Sequence, residues 1–142
     1  MIPPTPAARP LHPVVARLLV PFRERSRAEQ VVGALVVPVL FGVLCGVVIG
    51  WSAAAYWALQ VVATVGGVAG GFEHQGARAG ARRGVAGGLL FGGSVLLGHA
   101  LAGTTAETSL GPVPALLPAV TATFGCALGA LGGRGRSALH AR

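Results

Sequence analysis

Residues 30–72 read QVVGALVVPVLFGVLCGVVIGWSAAAYWALQVVATVGGVAGGF, forty-three consecutive positions without a formal charge. A bilayer hydrocarbon core about 30 Å thick takes roughly 20 helical residues at about 1.5 Å each. The stretch is therefore long enough for two membrane spans and a tight turn between them. Trp51, Ser52, Tyr56 and Trp57 mark the join. Trp and Tyr favour the headgroup zone, where an amphipathic ring sits half buried with its polar tip wet. Two further charge-free runs follow: 23 residues between Arg83 and Glu107, and 26 between Glu107 and Arg134. Each holds one span. The pattern predicts an all-α integral membrane protein, with four transmembrane helices in a compact Gly-rich bundle. The expected spans are about 31–50, 53–71, 85–102 and 115–133.

Composition supports that class. Of the 142 residues, 53% are hydrophobic and 11% charged, less than half of the about 25% charged residues usual in globular chains. An ordinary soluble domain, a disordered chain and a nucleic-acid binder are all excluded on this ground. A nucleic-acid binder would spread its net charge of +7 over a solvated face; here the charge sits in short stretches between apolar runs. Lys, Asn and Asp are absent and Ile occurs only twice. The scarcity of Lys, Asn and Ile fits a GC-rich bacterial genome, and the expected location is the bacterial cytoplasmic (inner) membrane.

The arginines then orient the spans. Arg9, Arg17, Arg23, Arg25 and Arg27 precede the first. Arg78, Arg82 and Arg83 follow the second, and Arg134, Arg136 and Arg142 follow the fourth. The loops around Trp51 and at 103–114 hold none. With four spans, all eleven arginines fall on one side, which the positive-inside rule makes cytoplasmic, with both termini in. The first span is too long for the roughly 7–15-residue apolar core of a cleaved signal peptide, so it reads as a retained anchor. Three segments result: a Pro/Arg-rich tail (1–25), the membrane domain (26–133) and a basic tail (134–142). Pro3, Pro4, Pro6, Pro10 and Pro13 make the first tail disordered or polyproline-like, with an interfacial turn conceivable over 14–20.

Local signals refine the helices. Ser26-Arg27-Ala28-Glu29 fits a capping box that starts span one. Thr104-Thr105-Ala106-Glu107 has the same form and predicts a short outer turn. Pro38 lies inside span one, where its missing amide frees a backbone carbonyl; a membrane tolerates this when a neighbour covers the gap. Cys45 and Cys126 lie in separate apolar segments and read as small hydrophobes. No zinc pattern can be built from them and four scattered histidines, and no cofactor is called for.

Glycine fills 23 of 142 positions, roughly twice the average usage of about 7%. Its spacing is regular: Gly42, Gly46 and Gly50 in span one; Gly66 with Gly70, and Gly67 with Gly71, in span two. Gly76, Gly80, Gly84, Gly88 and Gly92 run through the third, and Gly125, Gly129 and Gly133 through the fourth. Small residues at i, i+4 share one helix face and let two backbones approach closely. In lipid the hydrophobic effect does not hold helix to helix, so such contact must. The series resembles the glycine zippers of several unrelated membrane proteins, a packing motif that assigns no function. Internal packing accounts for ridges of this kind. The sharper reading turns one outward to drive homo-oligomerisation or docking to another membrane subunit, with the third-helix ridge as candidate.

Polar groups are few. Glu73, His74, Arg78, Arg82 and Arg83 form either a solvated basic loop or a docking site for anionic lipid headgroups or a partner. Gln60, Thr64 and His99 are the candidate in-membrane polar site; for His99, near the outer end of span three and close to Glu107, anchoring at the interface is the plainer reading. The predicted spans contain no Asp, Glu, Lys or Arg, which argues against proton-coupled transport. A catalytic set would have to come from the 73–83 cluster, and an enzyme is not expected. The favoured function is a structural or accessory membrane subunit that assembles through its glycine faces. The alternative is a small oligomeric channel or transporter component.

Overall fold

The computed structural model describes residues 24–141. The polyproline-like tail, the turn expected over 14–20, and four of the arginines (Arg9, Arg17, Arg23 and Arg142) lie outside them. Within them the protein is helical: α1 (Arg27–Val48), α2 (Ala53–Phe72), α3 (Ala77–Ala102) and α4 (Leu117–His140). A 3₁₀ turn, Pro114–Leu116, leads into α4. All four helices are long and apolar enough to cross a membrane.

Helix α1 begins as its sequence dictates. The Ser26 hydroxyl accepts from the Glu29 amide (3.2 Å), and the Glu29 carboxylate accepts from the Ser26 amide (3.0 Å). One turn later the backbone widens into a π-helical turn, Val32–Val36, in which the Val37 amide reaches back to the Val32 carbonyl. In that i→i+5 register the next acceptor, the Gly33 carbonyl, would need an amide from Pro38, which has none. The Arg83 guanidinium supplies the missing donor: its Nη2 donates to the Gly33 carbonyl at 2.5 Å. A side chain on α3 thus closes the gap that proline opens in α1.

The helices pack out of chain order. Helix α3 is central: it lies most intimately along α4, then along α1, and α4 in turn carries α2. The consecutive pair α1 and α2 meet little beyond their connecting turn at Gly50–Ser52. Neighbouring rank is therefore α1, α3, α4, α2. Cys45, Ile49, Tyr56 and Val95 form a small buried core near the α1–α2 turn, flanked by the stacked rings of Phe41 and Phe91. Tyr56 is buried, whereas Trp51 and Trp57 are exposed. Both described cysteines are free thiols.

Two boundaries differ from expectation. Helix α3 starts at Ala77 and α4 runs on to His140, so Arg78, Arg82, Arg83, Arg134 and Arg136 all stand on helices and the segment from 134 continues α4. Conversely, Thr104–Glu107 forms no helical turn. Gly103 ends α3 at φ 64°, in the left-handed region glycine favours. The Glu107 amide donates to the Ile49 carbonyl (2.9 Å) instead of to Thr104, tying the α3–α4 loop to the end of α1.

Candidate functional site

Glycine sets the closeness of the helices. A Cβ placed on Gly84 would run into the Gly125 carbonyl, and one on Gly125 into the Gly84 carbonyl. Gly80 and Gly129 stand in the same reciprocal relation one turn away, Gly133 meets the Gly76 carbonyl, and Gly88 meets Thr121 and Ala122. The Gly76 amide even donates to the Gly133 carbonyl (3.3 Å). Gly92 closes the series against Pro118 and the Thr121 hydroxyl. The long ridge of α3 is thus turned onto α4, inside the chain, and does not face outward as the sharper sequence reading allowed. Gly42 and Gly46 lie against the α3 backbone at Phe91 and Val95, and Gly98 answers from α3 against Val43; Gly50 lies against Thr104. On α2, Gly71 abuts Gly129, with Gly132 against Val68 and Phe72, and Gly67 touches only the Leu128 side chain.

One interhelical hydrogen bond strengthens the α3–α4 seam. The Thr121 hydroxyl donates toward the Gly88 carbonyl at 2.7 Å, within reach also of Leu117 and Pro118 carbonyls of its own helix. Gly66 and Gly70 are different. Nothing lies within 4 Å of a Cβ built on either, and Val61, Val62 and Val65 beside them are exposed.

The described arginines gather at one end of the bundle, where α1 and α3 begin and α2 and α4 finish. Three of them join helices. Arg25 pairs with Glu73 through Nη1 and Oε1 at 2.6 Å, both half-buried. Arg83 holds Gly33. Arg136 is 1% exposed; its Nη1 donates to the Phe72 carbonyl (3.2 Å) and its guanidinium lies 5.9 Å from the Phe72 ring centre. A cation on the last carbonyl of α2 suits the negative end of that helix. None of these three roles was read from the sequence, which took Arg25 and Arg136 as markers of sidedness and Arg83 also as part of a docking cluster. The signal for Arg83 was present, since Pro38 demanded a donor from a neighbour.

The cluster expected at 73–83 does not converge on one point. His74 turns its Nδ1 to the Gly70 carbonyl (3.1 Å), Glu73 goes to Arg25, and Arg83 goes to α1. Arg78 and Arg82 remain exposed on α3. Nor do Gln60, Thr64 and His99 meet. The Thr64 hydroxyl donates to the Gln60 carbonyl one turn back (2.8 Å), both on α2. His99 lies in the last turn of α3 and lines an open recess of about 460 Å³ together with residues of the 106–114 loop. Its Nδ1 is buried with no hydrogen-bond partner. Among the described residues no three His, Cys, Asp or Glu side chains come together.

These features define an all-helical protein with four helices suited to cross a membrane, which makes it a multi-pass membrane protein by architecture. Comparison with protein-family models, with curated proteins and with solved structures returns no match.

Proposed function

We propose that this chain is a structural or accessory subunit of the bacterial cytoplasmic membrane, with both termini inside, that acts by assembling with a second copy or another membrane protein. The observation that carries this reading is the uneven use of its apolar surface. Only 6% of the apolar window of α2 is buried, against 17–22% in the other three helices. The four-step glycines Gly66 and Gly70 lie open on that helix, where a neighbouring helix could approach as closely as α4 approaches α3. The internal ridges make the bundle rigid, and the surface of α2 is what remains for a partner. Sidedness follows from the gathering of described arginines at one end, with exposed Arg78 and Arg82 placed to attract anionic headgroups at about 1 kcal/mol each. The polar groups of α2 bond within their own helix, which lends no support to a conduction path.

Two experiments test it. Native mass spectrometry of the gently solubilised protein should show a dimer or higher assembly, or a co-purified membrane subunit, lost on Gly66→Leu/Gly70→Leu; a monomer of the native chain alone would refute assembly. A C-terminal alkaline phosphatase fusion should be inactive, because that reporter needs export. An active fusion would overturn the orientation.

A further inference from the structure

Helix α1 is held unevenly along its length. Its second half is pressed onto α3, where Gly42 and Gly46 lie against the backbone at Phe91 and Val95. Its first half is not: Val31, Val32, Leu35 and Val36 are exposed, and a Cβ on Gly33 would meet nothing within 4 Å. Between the halves stands the π-helical turn Val32–Val36, followed by Pro38. The first turns therefore have room to rotate about the helix axis without striking a neighbour.

Two hydrogen-bond registers are open to that turn. In the one observed, the Val37 amide donates to Val32 and the Arg83 Nη2 occupies the Gly33 carbonyl at 2.5 Å. In the α register the Val37 amide would donate to Gly33 itself, the acceptor that Arg83 now holds. Arg83 and the Val37 amide thus compete for one carbonyl. The guanidinium is seated for this task, with its Nη1 in the hollow beside Gly87, where a Cβ would stand 2.8 Å away. Pro38 acts in the same direction, because in an α-helix its ring crowds the carbonyl four residues back, that of Ala34. The choice of register reaches the end of the bundle. A π turn takes up one residue more than the α register. Returning to α therefore turns everything before it by about 100° and moves it about 1.5 Å along the axis. Arg25 moves with that segment, since the Gln30 side chain donates to its carbonyl (2.9 Å) and the Ser26–Glu29 box fixes the turn between them. In the observed register Arg25 meets Glu73, at the end of α2, at 2.6 Å.

We propose that the first turns of α1 form a two-register switch: Arg83 selects the π register, and that register carries Arg25 to Glu73. The α1–α2 edge is then joined at both ends, by the Gly50–Ser52 turn and by this ion pair. In the α register the pair is parted and the edge opens at the arginine end. The switch needs no partner, so it stands apart from the assembly reading.

The test uses the full chain in lipid nanodiscs, with Cys45→Ala/Cys126→Ala as background and spin labels on Arg27→Cys and Gln75→Cys, both exposed positions. Electron paramagnetic resonance reads the distance between the labels, and circular dichroism checks folding. A single narrow distance is expected with Arg83 and Pro38 in place. Arg83→Met is expected to shift it by roughly 5 Å or more, the scale set by turning a side chain about 100° around a helix about 10 Å wide. Pro38→Ala restores the amide and removes the ring. It is expected to populate the same second distance, and it decides the matter where Arg83→Met does not fold. Glu73→Gln removes the ion pair but not the register, and is expected to keep the native mean distance. The native distance in folded Arg83→Met or in Pro38→Ala overturns the switch, as does an equal shift in Glu73→Gln.

Discussion

The ridge of α3 and the open stripe of α2 are written in the same letters. Both place glycine at four-residue intervals in apolar helices, yet Gly84 lies against the backbone of Gly125 while Gly66 has nothing within 4 Å. Spacing alone therefore marks where a helix can be approached, not where it is. The difference comes from the partner. Helix α4 answers α3 with its own glycines at 125, 129 and 133, so carbonyls and Cα atoms meet from both sides. Across α2, the answering residues are Gly129 and Gly132 near its C-terminal end and the bulkier Leu128 one turn earlier. The seam closes at Gly71 and opens toward Gly67.

Substitutions can break that contrast. Gly84→Leu or Gly88→Leu should disrupt the bundle outright, because overpacking a close contact costs about 1–3 kcal/mol even for small additions and here the obstacle is backbone. Loss of a monodisperse peak in size-exclusion chromatography would register it. Next in size comes Arg83→Met, which keeps the stem and removes the donor to Gly33. A net loss of about 1–3 kcal/mol is expected for an orphaned buried carbonyl, seen as faster hydrogen exchange over 32–40 with α4 little changed. Arg25→Ala should cost less, about 1 kcal/mol or under, since its pair with Glu73 is partly solvated; a double-mutant cycle with Glu73→Gln measures the coupling. Thr121→Val should be smallest, about 0.6 kcal/mol by analogy with other interhelical bonds in membranes.

How much of this was legible before the structure depends on the kind of signal. Charge-free runs of sufficient length located four helices, since lipid admits few alternatives to a helix there. The capping box at Ser26 was local and therefore readable. The end of α4 was not: Gly132-Gly133-Arg134-Gly135-Arg136 has poor intrinsic helix propensity, and it stays helical where Gly132 and Gly133 lie on α2 and α3 and Arg136 caps Phe72. The Thr104 box failed for the converse reason, because a tertiary bond to Ile49 took the Glu107 amide. Helix order was hidden by the very regularity of the glycines, which offers every helix to every other. The unpartnered Nδ1 of His99 emerges only in the folded chain, beside the 106–114 loop.

The most direct measurement compares Gly84→Ala with Gly66→Ala in one detergent by thermal unfolding. A single methyl adds nothing but volume at each site. The account predicts that Gly84→Ala lowers the midpoint by several degrees, in line with about 1–3 kcal/mol of overpacking, while Gly66→Ala leaves it unchanged or slightly raised. Equal shifts for the two, or a stable Gly84→Ala protein, would contradict the claim that reciprocal glycine contact between α3 and α4 holds the bundle together.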